Sequence, residues 1–99
     1  MITFTRTVAT TAEKLAGLLK YAHETAEYIK NKVGVDFKVE VPIGGPALRV
    51  RWVSHHENLA AWEQVNAKLL SDSKYMEQLA KGTAHVIPGT AVDEFWMSA

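Results

Sequence analysis

An α+β fold built on one antiparallel sheet is predicted from three features of the chain. Polar and apolar residues alternate at the period of two that a half-buried strand requires. Two longer stretches instead carry apolar residues at helical spacing. These stretches follow one another as strand, helix, strand, strand, helix (broken), strand. Two helix-linked halves in that order give a ferredoxin-like β-α-β-β-α-(α)-β arrangement, four strands with the helices on one face.

The first strand is read over residues 2 to 9, where Ile2, Phe4 and Val8 alternate with Thr3, Thr5 and Thr7. Arg6 interrupts the apolar row. Thr10 and Glu13 have the spacing of a capping box, which places a helix start there. Leu15, Leu18, Leu19, Ala22, Ala26, Ile29 and Val33 then recur on one helical face, and Gly34 supplies a left-handed cap residue. Val35, Phe37, Val39 and Val41 form the second strand's apolar row, with Asp36, Lys38 and Glu40 opposite. A Pro- and Gly-rich turn, residues 42 to 46, leads to Leu48, Val50 and Trp52, with Arg49 and Arg51 opposite. The short connection makes the second and third strands a hairpin, with an acidic row able to face a basic one. Ser54-His55-His56-Glu57 reads as a polar turn before a helix that begins near Asn58 and breaks at Ser71-Asp72-Ser73. Asp72 caps a short further helix, which Gly82 stops. A loop through His85 and Pro88-Gly89 precedes a last strand, Val92 to Ser98.

Composition narrows the function classes. The chain has 99 residues, one domain's worth. A domain this small buries less than about 70% of its unfolded surface, so a second subunit would add stability. Eleven basic residues balance eleven acidic ones, which removes the electrostatic case for nucleic acid or an anionic membrane. Cysteine is absent, so disulfides, thiolate catalysis and cysteine metal sites are excluded. That fits a reducing cytoplasm, the expected location. The first residues, MITFTRTVATTAEK, lack the pattern of a signal peptide, and no apolar run nears the roughly 20 residues that span a bilayer.

The pattern Trp52…Leu59-x-x-Trp62…Leu69-x-x-Asp72-x-x-Tyr75-x-x-x-Leu79 resembles the dimeric α/β-barrel superfamily, most of all its NIPSNAP-type members. The resemblance covers nearly the whole chain in element order. Its specific part is residues 48 to 79 with the closing Asp93-Glu94-Phe95-Trp96. It implies a homodimer whose sheets pack back to back through their open faces, with a cleft between sheet and helices in each subunit. Members of that superfamily include cofactor-independent monooxygenases, haem-degrading enzymes, isomerases, cyclases and ligand-sensing modules, so the fold alone names no reaction. The haem-degrading members combine a first-strand Asn and a third-strand Trp with a His after the second helix. Here the first strand has no Asn, and the His position falls near Gln78, a poor iron ligand. His85 is the remaining plausible haem donor, and no cofactor is expected.

The candidate site residues each carry two readings. Asn66 falls among Leu59, Trp62, Leu69 and Leu70 on the apolar helix face. It either bonds a backbone carbonyl or water, or orients a ligand in the cleft. His23, on the flank of the first helix, and His85, in the loop before the last strand, are candidate catalytic bases or plain surface residues. Trp52, Trp62 and Trp96 are core or interface residues, or aromatic walls against a planar ligand. Arg6 needs an anionic partner or ligand if its row faces the helices, and points to solvent if the strand bulges. Tyr21 and Tyr28, seven apart on the first helix, suit an interface stripe. His55 and His56 lack a metal-binding spacing, and no metal is expected. The expected function is binding of a small apolar or aromatic molecule in the sheet–helix cleft of a homodimer. A cofactor-independent monooxygenase or an isomerase/cyclase-type enzyme, and a structural or regulatory dimer with a filled core, are the alternatives.

Overall fold

The computed structural model describes residues 1–99. The elements are β1 (Ile2–Ala9), α1 (Leu15–Val33), β2 (Lys38–Glu40), β3 (Arg49–His56), α2 (Leu59–Leu70), α3 (Ser73–Gly82) and β4 (Val92–Met97). A single 3-10 turn, Thr83–His85, follows α3. The sheet has the order β2-β3-β1-β4, and every neighbouring pair is antiparallel. β1 is therefore an interior strand. Its eight residues pair along their full length with β3, from Ile2 opposite His56 to Ala9 opposite Arg49.

That pairing overturns the polar turn expected at Ser54-His55-His56. Ile2, Thr3 and Phe4 pair with His56, His55 and Ser54, so β3 continues to His56. Ser54 and His56 face the helices and are buried, and Ser54 Oγ lies 2.8 Å from His56 Nε2. His55 points to the other face, where it bonds Thr3 Oγ1 at 3.1 Å.

The second strand is shorter than its sequence pattern. Only Lys38–Glu40 pair with β3. Pro42 lacks the N–H that would extend the ladder. Val41 and Leu48 are exposed rather than in an apolar row. Phe37 lies outside the ladder and packs edge-on against Phe4, centroids 6.2 Å apart. Only one of the expected acid–base pairs across the hairpin forms, Arg51 with Glu40 at 2.8 Å. Arg49 instead donates to the carbonyls of Pro46 and Gly44, stiffening the connecting loop.

The first helix begins at Leu15 without a side-chain cap, not at a Thr10–Glu13 box. Thr10 is buried and already committed. Its N–H donates to the Leu48 carbonyl, and its hydroxyl donates to the His85 carbonyl at 2.7 Å. The other helix boundaries follow the sequence. Gly34 takes the left-handed conformation (φ 74°) and its N–H donates to the Lys30 carbonyl. Asn58 Oδ1 caps α2 through the Ala61 N–H, and Asp72 Oδ1 caps α3 through the N–H groups of Lys74 and Tyr75. The Asp72 carboxylate also accepts from the Tyr28 hydroxyl at 2.6 Å, which holds its pKa below the usual carboxylate range. Tyr28 thus ties α1 to the start of α3, a use inside the subunit.

Between the helices and the sheet the core is in two parts. Val8, Leu18, Ala22, Val50 and Trp52 form one cluster; Ile29, Leu69 and Tyr75 form the other. Phe4, Trp62 and Phe95 stack as a third contact, with the Trp62–Phe95 centroids 4.8 Å apart, fastening α2 to β1 and β4.

Gly82 closes α3, but its φ of −62° is ordinary, so left-handed freedom is not the reason for glycine there. A Cβ at that position would land on the Tyr21 ring. Gly82→Ala is expected to destabilise the chain by about 1–3 kcal/mol through this overpacking, measured by urea unfolding. A change near zero would show that Tyr21 moves freely. His56 supplies a second test. Burial lowers its folded pKa below 6.5, with His55 adding repulsion. The unfolded state therefore binds more protons than the folded one between the two values. Stability is full above about pH 6.5 and falls as pH drops through the folded pKa. His56→Gln should flatten that acid limb in unfolding curves taken from pH 7.5 to 5.

Candidate functional site

The seam between the two core clusters is not filled. A cleft of about 210 Å³ lies there, and ten of its fourteen lining residues are hydrophobic. The helix-facing row of β1 supplies Phe4, Arg6 and Val8, and β3 supplies Trp52. From α1 come Tyr21, Thr25 and Ile29, at the i, i+4, i+8 spacing that places them on one face. From α3 come Tyr75, Leu79 and Gly82, and Phe37 reaches in before β2. Thr83, Val86 and Ala91 close the end. That closing loop is tied along β1 by Ile87 N–H to the Ala9 carbonyl at 2.9 Å and Ala9 N–H to Thr90 Oγ1 at 3.2 Å.

Arg6 lies on the helix-facing row, as the unbulged pairing of β1 with both neighbours requires. The residue opposite it on β4 is Asp93. The pair is bidentate, Nε to Oδ1 at 2.7 Å and Nη2 to Oδ2 at 2.8 Å. This bonding raises the Arg6 pKa further, and the two charges cancel locally. Tyr75 sits against the guanidinium, and burial pushes its phenol pKa up despite that nearby positive charge. Burial also raises the pKa of Tyr21. Both phenols are therefore neutral O–H donors at physiological pH.

The indole N–H of Trp52 is already used, donating to the Ala22 carbonyl at 3.3 Å. Thr25 is different. Its side chain is buried, and Oγ1 lacks a hydrogen bond of good geometry; its contact with the Tyr21 hydroxyl lowers the Tyr21 pKa against the larger effect of burial. Thr25 and Tyr21 also line a polar groove on the far side, shared with Lys20, Glu24, Gln78, Lys81 and His85.

The structure brings together only two of the candidates named from sequence, Trp52 and Arg6. Asn66 is half-buried on α2 and does not line the cleft. Trp62 is spent on Phe4 and Phe95. Trp96 is 62% exposed on the opposite sheet face, paired with Thr3, because alternation along β4 sends Phe95 to the helix side instead. His23 is exposed on α1. His85 lies behind Tyr21, with ring centroids 6.1 Å apart, and against Gly17, where a Cβ would approach its Nδ1 to 2.8 Å. It faces the polar groove, not the cleft. Tyr21, Thr25 and Tyr75, the polar groups of the cleft, were missed as site residues. The available signal was a Tyr and a Thr four apart on the helix face that also carries Ile29.

An unpartnered buried hydroxyl costs about 1–3 kcal/mol. Thr25→Val keeps the shape and removes that cost. The variant is expected to unfold at higher urea concentration than the parent, by about 1 kcal/mol, and to bind ligand more weakly. A loss of stability instead would mean that Thr25 is satisfied in solution.

No family model matches the chain, and no curated protein matches it. Solved structures do. An uncharacterised NIPSNAP domain protein from Burkholderia xenovorans superposes with a TM-score of 0.84 at 15% identity, over 100% of this chain and 95% of that one. A NIPSNAP family protein with unknown function from Agrobacterium tumefaciens gives 0.82 at 18% identity, over 100% and 88%. An antibiotic biosynthesis monooxygenase gives 0.74 at 11% identity, over 100% and 99%. At such identities the likeness is one of fold. The chain has the ferredoxin-like fold that NIPSNAP family proteins and antibiotic biosynthesis monooxygenases share.

Proposed function

We propose that this protein binds a small apolar or aromatic molecule in the sheet–helix cleft, and does so as a homodimer through the open sheet face. The observation that carries the first part is the unfilled apolar seam, with a buried Thr25 hydroxyl on its wall that lacks a hydrogen bond of good geometry. A core left open costs packing energy, and native interiors are otherwise close-packed. A bound molecule would restore both the packing and the hydrogen bond.

The open face supports the second part. Its threonines lie in a row, Arg51 is neutralised by Glu40, and Arg49 is spent on backbone carbonyls. Trp96 and Val92 project from it, 62% and 55% exposed. A second copy of the same face would cover those apolar groups, and the two charges left on it, Lys38 and Glu94, are of opposite sign.

An enzyme acting in the same cleft, of the oxygenating or isomerising kind, is the second reading. It is favoured by the phenols of Tyr21 and Tyr75, two acids facing one apolar space. The fold shared with an antibiotic biosynthesis monooxygenase is compatible with it.

Native mass spectrometry of the purified protein should record two chains, with Trp96→Glu shifting the mass to one. A single chain for the parent at micromolar concentration would sink the dimer. Toluene, titrated against the dimer, should shift the Trp52 indole N–H resonance in NMR spectra. Leu79→Trp, which fills the cleft, should abolish that shift. No shift at Trp52 under toluene saturation would sink the cleft reading.

A further inference from the structure

The cleft holds hydroxyl protons that the chain leaves without an acceptor. The Tyr75 oxygen accepts from the Arg6 guanidinium and the Tyr21 oxygen from the Thr25 hydroxyl, so each neutral phenol keeps its own proton to donate. The Thr25 hydroxyl, in a residue 5% exposed, has the Tyr21 hydroxyl as its neighbour and no acceptor of good geometry beyond it. On the acceptor side, the Asp93 carboxylate is taken up bidentately by Arg6. The nearest unpaired buried acceptor, Gln78 Oε1, belongs to the neighbouring groove and not to the cleft lining. What completes such a site is a molecule that accepts hydrogen bonds.

Charge and volume restrict it further. Arg6 and Asp93 cancel, so a carboxylate in the cleft would bring an unpaired charge into an apolar space, at high cost. An apolar cavity of about 150 Å³ holds one benzene. The 210 Å³ here matches a ring with a short substituent.

Building on the cleft-binding reading above, we infer that the cleft takes an uncharged single-ring ketone. Its ring packs against Trp52 and Phe4, and its carbonyl oxygen accepts from the hydroxyls of Tyr21 and Tyr75. The Arg6 guanidinium is a positioning group, turning the Tyr75 O–H away from itself and into the cleft.

The test compares four probes on the purified dimer by NMR titration: acetophenone, ethylbenzene, benzoate and anthrone. Acetophenone should bind about tenfold more tightly than ethylbenzene, which has the same outline but no acceptor. Its carbonyl stretch should move to lower frequency on binding. Tyr75→Phe and Tyr21→Phe, which keep the rings, should each reduce the acetophenone-to-ethylbenzene ratio and part of the infrared shift. Equal affinity for acetophenone and ethylbenzene would overturn the ketone assignment and leave the apolar cleft standing. Tightest binding by benzoate would overturn the uncharged class, and tightest binding by anthrone the single ring. Failure of all four to perturb the Trp52 indole would overturn the cleft reading together with this one.

Discussion

An arginine stands in the row of β1 that faces the helices, and the centre of the molecule is arranged around it. A charge cannot be left bare beneath two helices, so Arg6 requires an acid within reach. Asp93 lies directly opposite on β4 and meets the guanidinium with both oxygens. The pair occupies sheet surface that an aliphatic side chain would have used to close the core. Both members remain about one-third exposed, so their attraction is screened and is no large source of stability. Their effect is on shape, because the core divides into two clusters with the cleft at the seam.

The helices then set the cleft's depth. α3 can approach α1 where Tyr21 lies because Gly82 has no side chain to meet the ring. Tyr28, bonded to the capping carboxylate of Asp72, fixes the other end of the same helix pair. Tyr21 and Tyr75 are thereby held on the cleft wall with their hydroxyls in a dry setting, which keeps both phenols protonated. A tyrosine ring serves both requirements of such a wall, apolar area from the face and a donor at the tip.

Much of the fold was legible because it depends on interactions within a few residues. The threonine alternation of β1, the apolar stripe of α1, the glycine after Val33, the helix start near Asn58 and the Asp72 cap all hold in the structure. Sequence reading went astray where a distant partner claimed a residue. Thr10 has the spacing of a helix cap, but its hydroxyl is taken by the His85 carbonyl. Ser54 and His56 look like a turn, but β1 has pairing positions for them and the helices cover them. The site was less legible than the fold. Trp52 and Arg6 were found by their places in strand rows, whereas Asn66 and His23 were found by their places on a helix wheel, which does not say where the cleft lies.

The sequence by itself determined the element order, the helix ends at Gly34, Asn58 and Asp72, and the sidedness of the interior strands. These follow from periodicity, capping and backbone conformation, which act over one or two turns of chain. The tertiary structure alone decided that Asp93 meets Arg6 across 87 residues, that Trp96 leaves the cleft for the open face, and that Tyr21, Thr25 and Tyr75 converge. Each of these depends on which strand lies beside which, and on how closely two helices approach. The pairing register and the space over one glycine set those distances, and neither is written in any local stretch of residues.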